Sequence, residues 1–307
     1  MRKIYLAGTG NVSKNLLKLI FSSRQEITIT GIENSRGMMV SENGLDYDEI
    51  NKFMSSPGDH KKTGSIENLD FGTYVDMRTA SKTGEMERDG YLKLMKNGKN
   101  IVTANKSGIA NYFPEIGKAS AEYGKKLLFE ATVAGGLPVF SLIRSSFPSF
   151  TVNSFSGVVN LTSNFIMKKA RSGMSLEDAK RKALEEGVAE TDMTDDLDGT
   201  DSARKAVILA NALFRTPLRL RDMKYSGVDL NNIKEDEMLL ARLSMEDTLR
   251  VESKVFRLES DDPFLKLDPK GMACSIGFKE RNPVYISENM DGPLETAGAV
   301  FSDILSV

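Results

Sequence analysis

A glycine pair near the start of the chain constrains the fold more than any other feature. Residues 2–7 (RKIYLA) form a short apolar-rich run ending in Gly8-Thr9-Gly10-Asn11-Val12-Ser13, and Val12, Leu16, Leu17 and Ile20 follow at helical spacing. That order is strand, tight turn, helix. The hexapeptide nearly matches G-x-G-x-x-G, whose glycines permit the turn and let backbone N–H groups approach a pyrophosphate at a helix N-terminus. Ser13 replaces the third glycine, a position that serves helix-to-strand packing, and serine is small enough to be tolerated there. The loop's placement meets the context that dinucleotide binding requires, with a purely structural turn as the alternative.

The alternation continues. Residues 26–32 (EITITGI) predict a second strand, followed by a strand around Tyr74–Met77, a helix around Gly84–Asn97 and a strand at Asn100–Thr103. A helix over much of Ser107–Tyr123 and a strand at Lys126–Glu130 complete the series. Five strands alternating with helices predict an α/β, Rossmann-like doubly wound parallel sheet. After Phe147-Pro148 the rhythm changes, with a strand-like stretch at Thr151–Asn160, a helix beginning near Asn164 and a Ser-capped amphipathic helix over Ser175–Glu186. Strands are expected at Leu249–Leu258, Ala273–Lys279 and Val284–Ile286, and a closing helix at Leu294–Leu305. A length of 307 residues suits two domains. They are placed at 1–133, with the closing helix 293–307 packing back onto it, and at 134–292, of α+β type.

At the end of the second strand Glu33 is placed to accept adenosine ribose hydroxyls, which favours NAD. Arg36 is placed to grip the extra phosphate of NADP. The two signals conflict, and both residues also read as solvated loop charges.

Charge excludes one class of partner. Lys and Arg number 41 against 43 Asp and Glu, the signs are mixed along the chain, and no footprint for nucleic acid appears. The longest basic cluster, Lys168, Lys169 and Arg171, reads as a solvated helix face. No apolar run is long enough for a signal peptide or membrane span, so a cytoplasmic location and no membrane partner are expected. Cys274 is the single cysteine and His60 the single histidine, which makes a Cys/His metal site hard to build, while carboxylate-bound metals stay open. His60 reads as an exposed loop residue.

A second constellation lies midway. Asp198-Gly199-Thr200-Asp201-Ser202-Ala203-Arg204-Lys205 opens a helix in which Asp201 and Lys205 share a face with Ile208, Leu209 and Ala212, so a charged pair runs into an apolar stripe. Upstream stand Glu190, Asp192, Asp195, Asp196 and Asp198, suited to an ammonium-bearing substrate or a divalent metal, or to a solvated loop.

These residues resemble the homoserine dehydrogenase family, over Met1 to about Leu213 and the final helix. The most specific portion runs from Gly157 through Val159-Asn160-Leu161-Thr162-Ser163-Asn164 to Ile166, then the amphipathic helix, Ala189-Glu190 and Asp201–Lys205. Val102-Thr103-Ala104-Asn105-Lys106 and Glu130–Pro138 agree as well. The resemblance implies interconversion of L-homoserine and L-aspartate 4-semialdehyde by hydride transfer with NAD(P), in threonine and methionine biosynthesis. Lys106 and Lys205 would flank the reacting carbon, Glu190 and Asp201 would hold the amino acid, Thr162 would add a hydroxyl contact, and Asp195 joins the candidate substrate contacts. Candidate cofactor contacts are Gly8, Gly10, Asn11, Val12, Glu33, Arg36, Thr79 and Lys106. Glu130, Val133 and Gly135 match positions that bind a monovalent cation (Na+), chiefly through backbone oxygens. Relatives pair through a sheet of the second domain, which implies a homodimer and a substrate-binding and dimerisation role for 134–292.

Two departures stand out: Leu161 where relatives carry a small residue, and Asp291-Gly292-Pro293-Leu294-Glu295-Thr296 where they carry a glycine-rich turn. No regulatory domain is expected after Val307, hence no feedback control by threonine. Oxidising the alcohol requires a base near its oxygen, and lysine serves when neighbouring ammonium groups and burial lower its pKa. Two other readings are weighed. A phosphorylating aspartate semialdehyde dehydrogenase would need a cysteine nucleophile with a histidine base, and Cys274 has no histidine motif beside it. A catalytically altered NAD(P)-binding sensor or scaffold of the same fold would have lost Lys205 or Glu190, and both are present.

Overall fold

In the computed structural model, which describes residues 2–56, 65–230 and 232–307, the first apolar run becomes strand β1 (Arg2–Ala7). Ile4, Tyr5, Leu6 and Ala7 are fully buried, as befits a central parallel strand covered on both faces. Helix α1 (Asn11–Ser22) follows and buries Leu16, Leu17 and Ile20. Strand β2 (Ile27–Glu33) lies parallel to β1. The chain then turns back at once into a short strand β3 (Met38–Val40), antiparallel to β2. This adds an antiparallel edge strand to the five parallel strands expected. The cause is local: the Asn34 side chain accepts hydrogen bonds from the N–H groups of Arg36 and Gly37, closing a tight turn.

Helix α2 (Tyr47–Ser55), strand β4 (Thr73–Asp76), helix α3 (Glu85–Lys96), strand β5 (Asn100–Thr103), helix α4 (Lys106–Tyr123) and strand β6 (Leu127–Leu128) complete a sheet of order β3-β2-β1-β4-β5-β6. Helix α2 was not expected, although Asp46 and Glu49 form a capping box at its start. Strand β6 stops short of the expected Glu130. There the backbone winds into a 3₁₀ turn over Glu130–Thr132, and the Glu130 N–H donates to Asp303 Oδ2 at 2.8 Å rather than to a ladder partner. Asp303 belongs to the closing helix, which starts one residue before its expected position, with Pro293 at the first helical site, where the missing N–H costs nothing. This helix packs on α1 and on the Glu130 turn, its Ala297, Val300 and Ile304 entering the same core as Ile4, Leu6, Leu16 and Val75.

Contacts divide the chain into two units, residues 1–136 with 293–307, and residues 137–292. The second unit begins with helix α5 (Val139–Ser146) and strand β7 (Val152–Val158), then α6 (Leu161–Arg171), α7 (Leu176–Glu185), the single turn α8 (Thr194–Leu197) and α9 (Thr200–Phe214). Strands β8 (Glu237–Met245), β9 (Leu249–Arg257), β10 (Met272–Phe278) and β11 (Val284–Glu288) join β7 in an antiparallel sheet of order β11-β10-β7-β8-β9. The closing helix Pro293–Leu305, α10, returns the chain to the first unit.

Three expectations change here. Helix α6 starts at Leu161 rather than near Asn164, because Asn160 caps it through the Ser163 N–H at 2.8 Å. Lys168 and Arg171 do not form a solvated face: Lys168 donates to the Leu265 carbonyl, Arg171 is half-buried against Met238, and burial lowers the pKa of both. Helix α9 carries no single apolar stripe but is buried on nearly every side from Asp201 to Asn211, lying against β8 and β9. Ser175 does cap α7 through the Asp178 N–H, as the sequence predicts. His60 lies outside the described residues. No described helix is long and apolar enough to cross a membrane.

Candidate active site

In the first unit the candidate cofactor residues fall at the carboxyl ends of parallel strands, the edge at which doubly wound folds bind ligands. Gly8 to Val12 follow β1, Glu33 ends β2, Arg36 lies in the turn beyond it, Thr79 follows β4 and Lys106 opens α4 after β5. Gly8 adopts φ +107°, and a Cβ there would lie 2.6 Å from the Met77 carbonyl oxygen, so glycine is required by backbone approach alone. Gly10 differs. It sits at the N-cap of α1 with no side-chain cap, and a Cβ there would meet nothing within 4 Å. Gly10 thus leaves open space at the N-terminus of α1, where helix N–H groups and the positive end of the helix dipole suit a pyrophosphate. Ser13, at the third position, is fully buried.

A buried polar network fixes the loops around this edge. Asp76 accepts hydrogen bonds from Arg78 Nε (2.9 Å) and Nη2 (2.7 Å) and from Tyr91 (2.7 Å), whose hydroxyl also meets Thr103. Glu87, on α3, accepts from the Ser81 N–H and from Asn105 Nδ2, each at 3.1 Å. Burial opposes its charge, but hydrogen bonds from Ser81, backbone N–H groups and Asn105 hold its carboxyl below the usual range. Asn105 in turn caps α4 through the Ser107 N–H at 3.1 Å, so the residue that starts α4, Lys106, is anchored from both sides.

In the second unit α6, α8 and α9 bring one cluster together. Lys205 Nζ lies 2.8 Å from Asp201 Oδ2 and donates to the Val159 carbonyl. Asn160 Nδ2 donates to Asp201 Oδ2 at 2.8 Å and to Asp196 Oδ1 at 2.6 Å, so one amide bridges two carboxylates that would otherwise repel. Thr162, on the first turn of α6, donates to the Val188 carbonyl at 3.3 Å and lies close to Asp196. Burial raises the Asp196 pKa, and the neighbouring Asp201 charge adds to it, against the lowering effects of Asn160, Lys205 and Thr162.

Not every expected residue joins this cluster. Asp195 points outward, exposed, with Arg204 at 3.3 Å, whereas its neighbour Asp196 turns inward. Asp196 stood in the acidic stretch without being singled out. Glu190 is exposed on the segment after α7. Glu130 and Val133 are buried, and Gly135 follows with φ +54°. Among the described residues no group of three or more His, Cys, Asp or Glu could hold a metal ion.

A doubly wound unit with an open glycine turn, followed by an α+β unit carrying a buried lysine among carboxylates, defines a two-domain nicotinamide-dependent oxidoreductase. The sequence profile described as homoserine dehydrogenase matches residues 138–305. A homoserine dehydrogenase from Sulfurisphaera tokodaii is 30% identical over 99% of this chain and 97% of its own length. The crystal structure of homoserine dehydrogenase from Thermoplasma acidophilum superposes with a TM-score of 0.92 at 35% identity, covering 99% of this chain and 98% of that one. A hyperthermophilic archaeal homoserine dehydrogenase in complex with NADPH is also similar, with a TM-score of 0.81 at 25% identity over 99% and 97% of the two chains. The chain belongs to the homoserine dehydrogenase family.

Proposed function

We propose that the chain interconverts L-homoserine and L-aspartate 4-semialdehyde, with NAD(P) as the hydride acceptor or donor, in threonine and methionine biosynthesis. The observation that carries this reading is the cluster of Lys205, Asp201, Asn160 and Asp196 within a chain similar to homoserine dehydrogenases along its whole length. Nothing in that cluster favours the sensor or scaffold reading. Unit 1–136 with 293–307 takes the dinucleotide through Gly8, Gly10, Asn11 and Val12, with Thr79 and Lys106 on the same sheet edge, and unit 137–292 takes the amino acid.

In the oxidising direction, C4 of homoserine loses a hydride and its hydroxyl a proton, leaving the aldehyde, a reduced nicotinamide and one proton. The bound nicotinamide supplies the hydride chemistry. The protein's part is to hold the amino acid and to take the hydroxyl proton, and Lys205 is the group assigned to that proton, oriented by Asp201 and the Val159 carbonyl. Lys106 is the corresponding candidate in the first unit. Glu190 pairs with the substrate ammonium, and Asp196 and Thr162 shape the polar wall beside it. Glu130, Val133 and Gly135 are proposed to hold a monovalent cation mainly through backbone oxygens.

The protein is further proposed to act in the cytoplasm as a homodimer formed through the sheet of the second unit. Support comes from the family resemblance and from a sheet face on which Ser154, Ser156, Ser275 and Arg242 are only partly buried. Sedimentation velocity tests the dimer. Homoserine-dependent reduction of NAD+ or NADP+, followed by absorbance of the reduced nicotinamide, tests the activity, and no reduction with either cofactor would overturn it.

A further inference from the structure

A carboxylate at the end of the second strand can accept an adenosine ribose diol only while its oxygens face the ligand edge. Glu33 holds that position, yet only 6% of it is exposed. Tyr74, on β4, donates its hydroxyl to Glu33 Oε1 at 3.3 Å. The bond reaches across β1, which lies between β2 and β4. It can do so because Tyr5, the intervening residue, pairs in register with both Gly31 and Tyr74 and stacks on the Tyr74 ring with centroids 5.9 Å apart. Gly31 leaves room for the Tyr5 ring: a Cβ there would lie 2.5 Å from it. Burial, reinforced by nearby carboxylates, raises the pKa of both phenols far above the usual range, so Tyr74 stays protonated and remains a donor.

The turn beyond Glu33 has the opposite character. Asn34 accepts from the Arg36 and Gly37 N–H groups at 2.9 and 3.1 Å, and its Nδ2 donates to Thr9 Oγ1 at 3.3 Å, tying the turn to the glycine loop. Arg36 itself is exposed, and its guanidinium has no partner among the described residues. A free carboxylate at this place would bond a ribose 2′-hydroxyl and repel a 2′-phosphate. Withdrawing it removes both effects, and a guanidinium fork suits the phosphate.

We infer that Tyr74 sets the cofactor preference of this chain, holding the Glu33 carboxylate down so that Arg36 alone governs the ribose 2′-position and NADP is selected over NAD. Tyr74 is a positioning residue; Arg36 touches the cofactor. The inference rests on the reading of this unit as a nicotinamide dinucleotide site.

Calorimetric titration of the intact chain with NADPH, NADH, adenosine 2′,5′-bisphosphate and AMP tests it without turnover. The wild type should bind NADPH and the bisphosphate on the order of tenfold to a hundredfold more tightly than NADH and AMP, the range of a charge-assisted contact. Arg36→Ala should erase that difference by weakening binding of NADPH and the bisphosphate. Tyr74→Phe, which keeps the ring, should tighten NADH binding, and adding Glu33→Gln should remove the gain. Thermal melting reports folding, and the exposed Arg36 variant tests the role given to Arg36 even if the Tyr74 variant unfolds. Equal affinity for NADPH and NADH in the wild type, an Arg36→Ala variant with an unchanged ratio, or a folded Tyr74→Phe variant that binds NADH no more tightly than the wild type overturns the inference while the dinucleotide reading stands. Binding of none of the four ligands overturns both.

Discussion

Asp201 and Lys205, one turn apart on α9, form an ion pair at 2.8 Å in which 12% and 11% of the respective side chains are exposed. A pair this buried is costly to break from one side, because the remaining charge loses its counter-ion where little water reaches it. Lys205→Ala should therefore lower kcat by about 10² to 10⁴ if Lys205 moves the substrate proton. It should also lose on the order of 3–5 kcal/mol of stability. Adding Asp201→Ala should restore much of the stability and none of the turnover. Steady-state kinetics with denaturant unfolding checks both, and unchanged turnover would remove Lys205 from the proton role.

Asp196 gives a pH signature. A carboxyl whose folded pKa is raised above its unfolded value gives up stability as pH climbs through the folded value, so Asp196 favours folding less at neutral pH than in acid. Asp196→Asn cannot ionise but keeps an acceptor for Asn160. The variant should melt at a higher temperature than the wild type at pH 7, and the difference should close as pH falls below about 3.9. A gain that is the same at both pH values contradicts the raised pKa.

Asp196 also marks where the sequence stopped being informative. An acidic stretch was evident, but which of two adjacent aspartates faces inward depends on the single turn α8 and on the Asn160 amide, neither of which has a spacing signature. The strand–turn–helix opening was legible because it is local: β-branched runs, a glycine turn and helical periodicity all agree. Strand β8 was not, since Glu237–Met245 mixes buried residues of both faces and alternates weakly, and it exists because β7 and β9 pair on either side of it. The Asp46/Glu49 capping box would have revealed α2. The basic cluster on α6 misled because its burial is imposed by distant Leu265 and Met238.

The two loop glycines should separate backbone strain from ligand contact. Gly8→Ala forces a side chain into a left-handed backbone, costing on the order of 1–3 kcal/mol before the clash with Met77 is added. Gly10 sits at φ −77° with open space before it, so Gly10→Ala should fold normally and bind dinucleotide more weakly. Thermal melting and cofactor titration of both variants test this, and unchanged cofactor binding by Gly10→Ala would exclude the α1 N-terminus as the pyrophosphate site.

Asn160 should matter twice. Asn160→Ala removes the cap of α6, worth about 0.5–2 kcal/mol. It also leaves Asp196 and Asp201 without the amide between them. Asn160→Asp keeps the cap and adds a third carboxylate. If the bridge matters beyond capping, Asn160→Asp should lose as much activity as Asn160→Ala while keeping more of the helix, as read by kinetics and hydrogen exchange at α6.

The most direct measurement follows the transferred atom. With homoserine carrying two deuterons at C4 and oxidised NADP+, the account predicts one deuteron on each reduced nicotinamide, detected by mass spectrometry, and a sharply lower yield with Lys205→Ala. Reduced cofactor lacking deuterium, or none formed by the wild type, would contradict it.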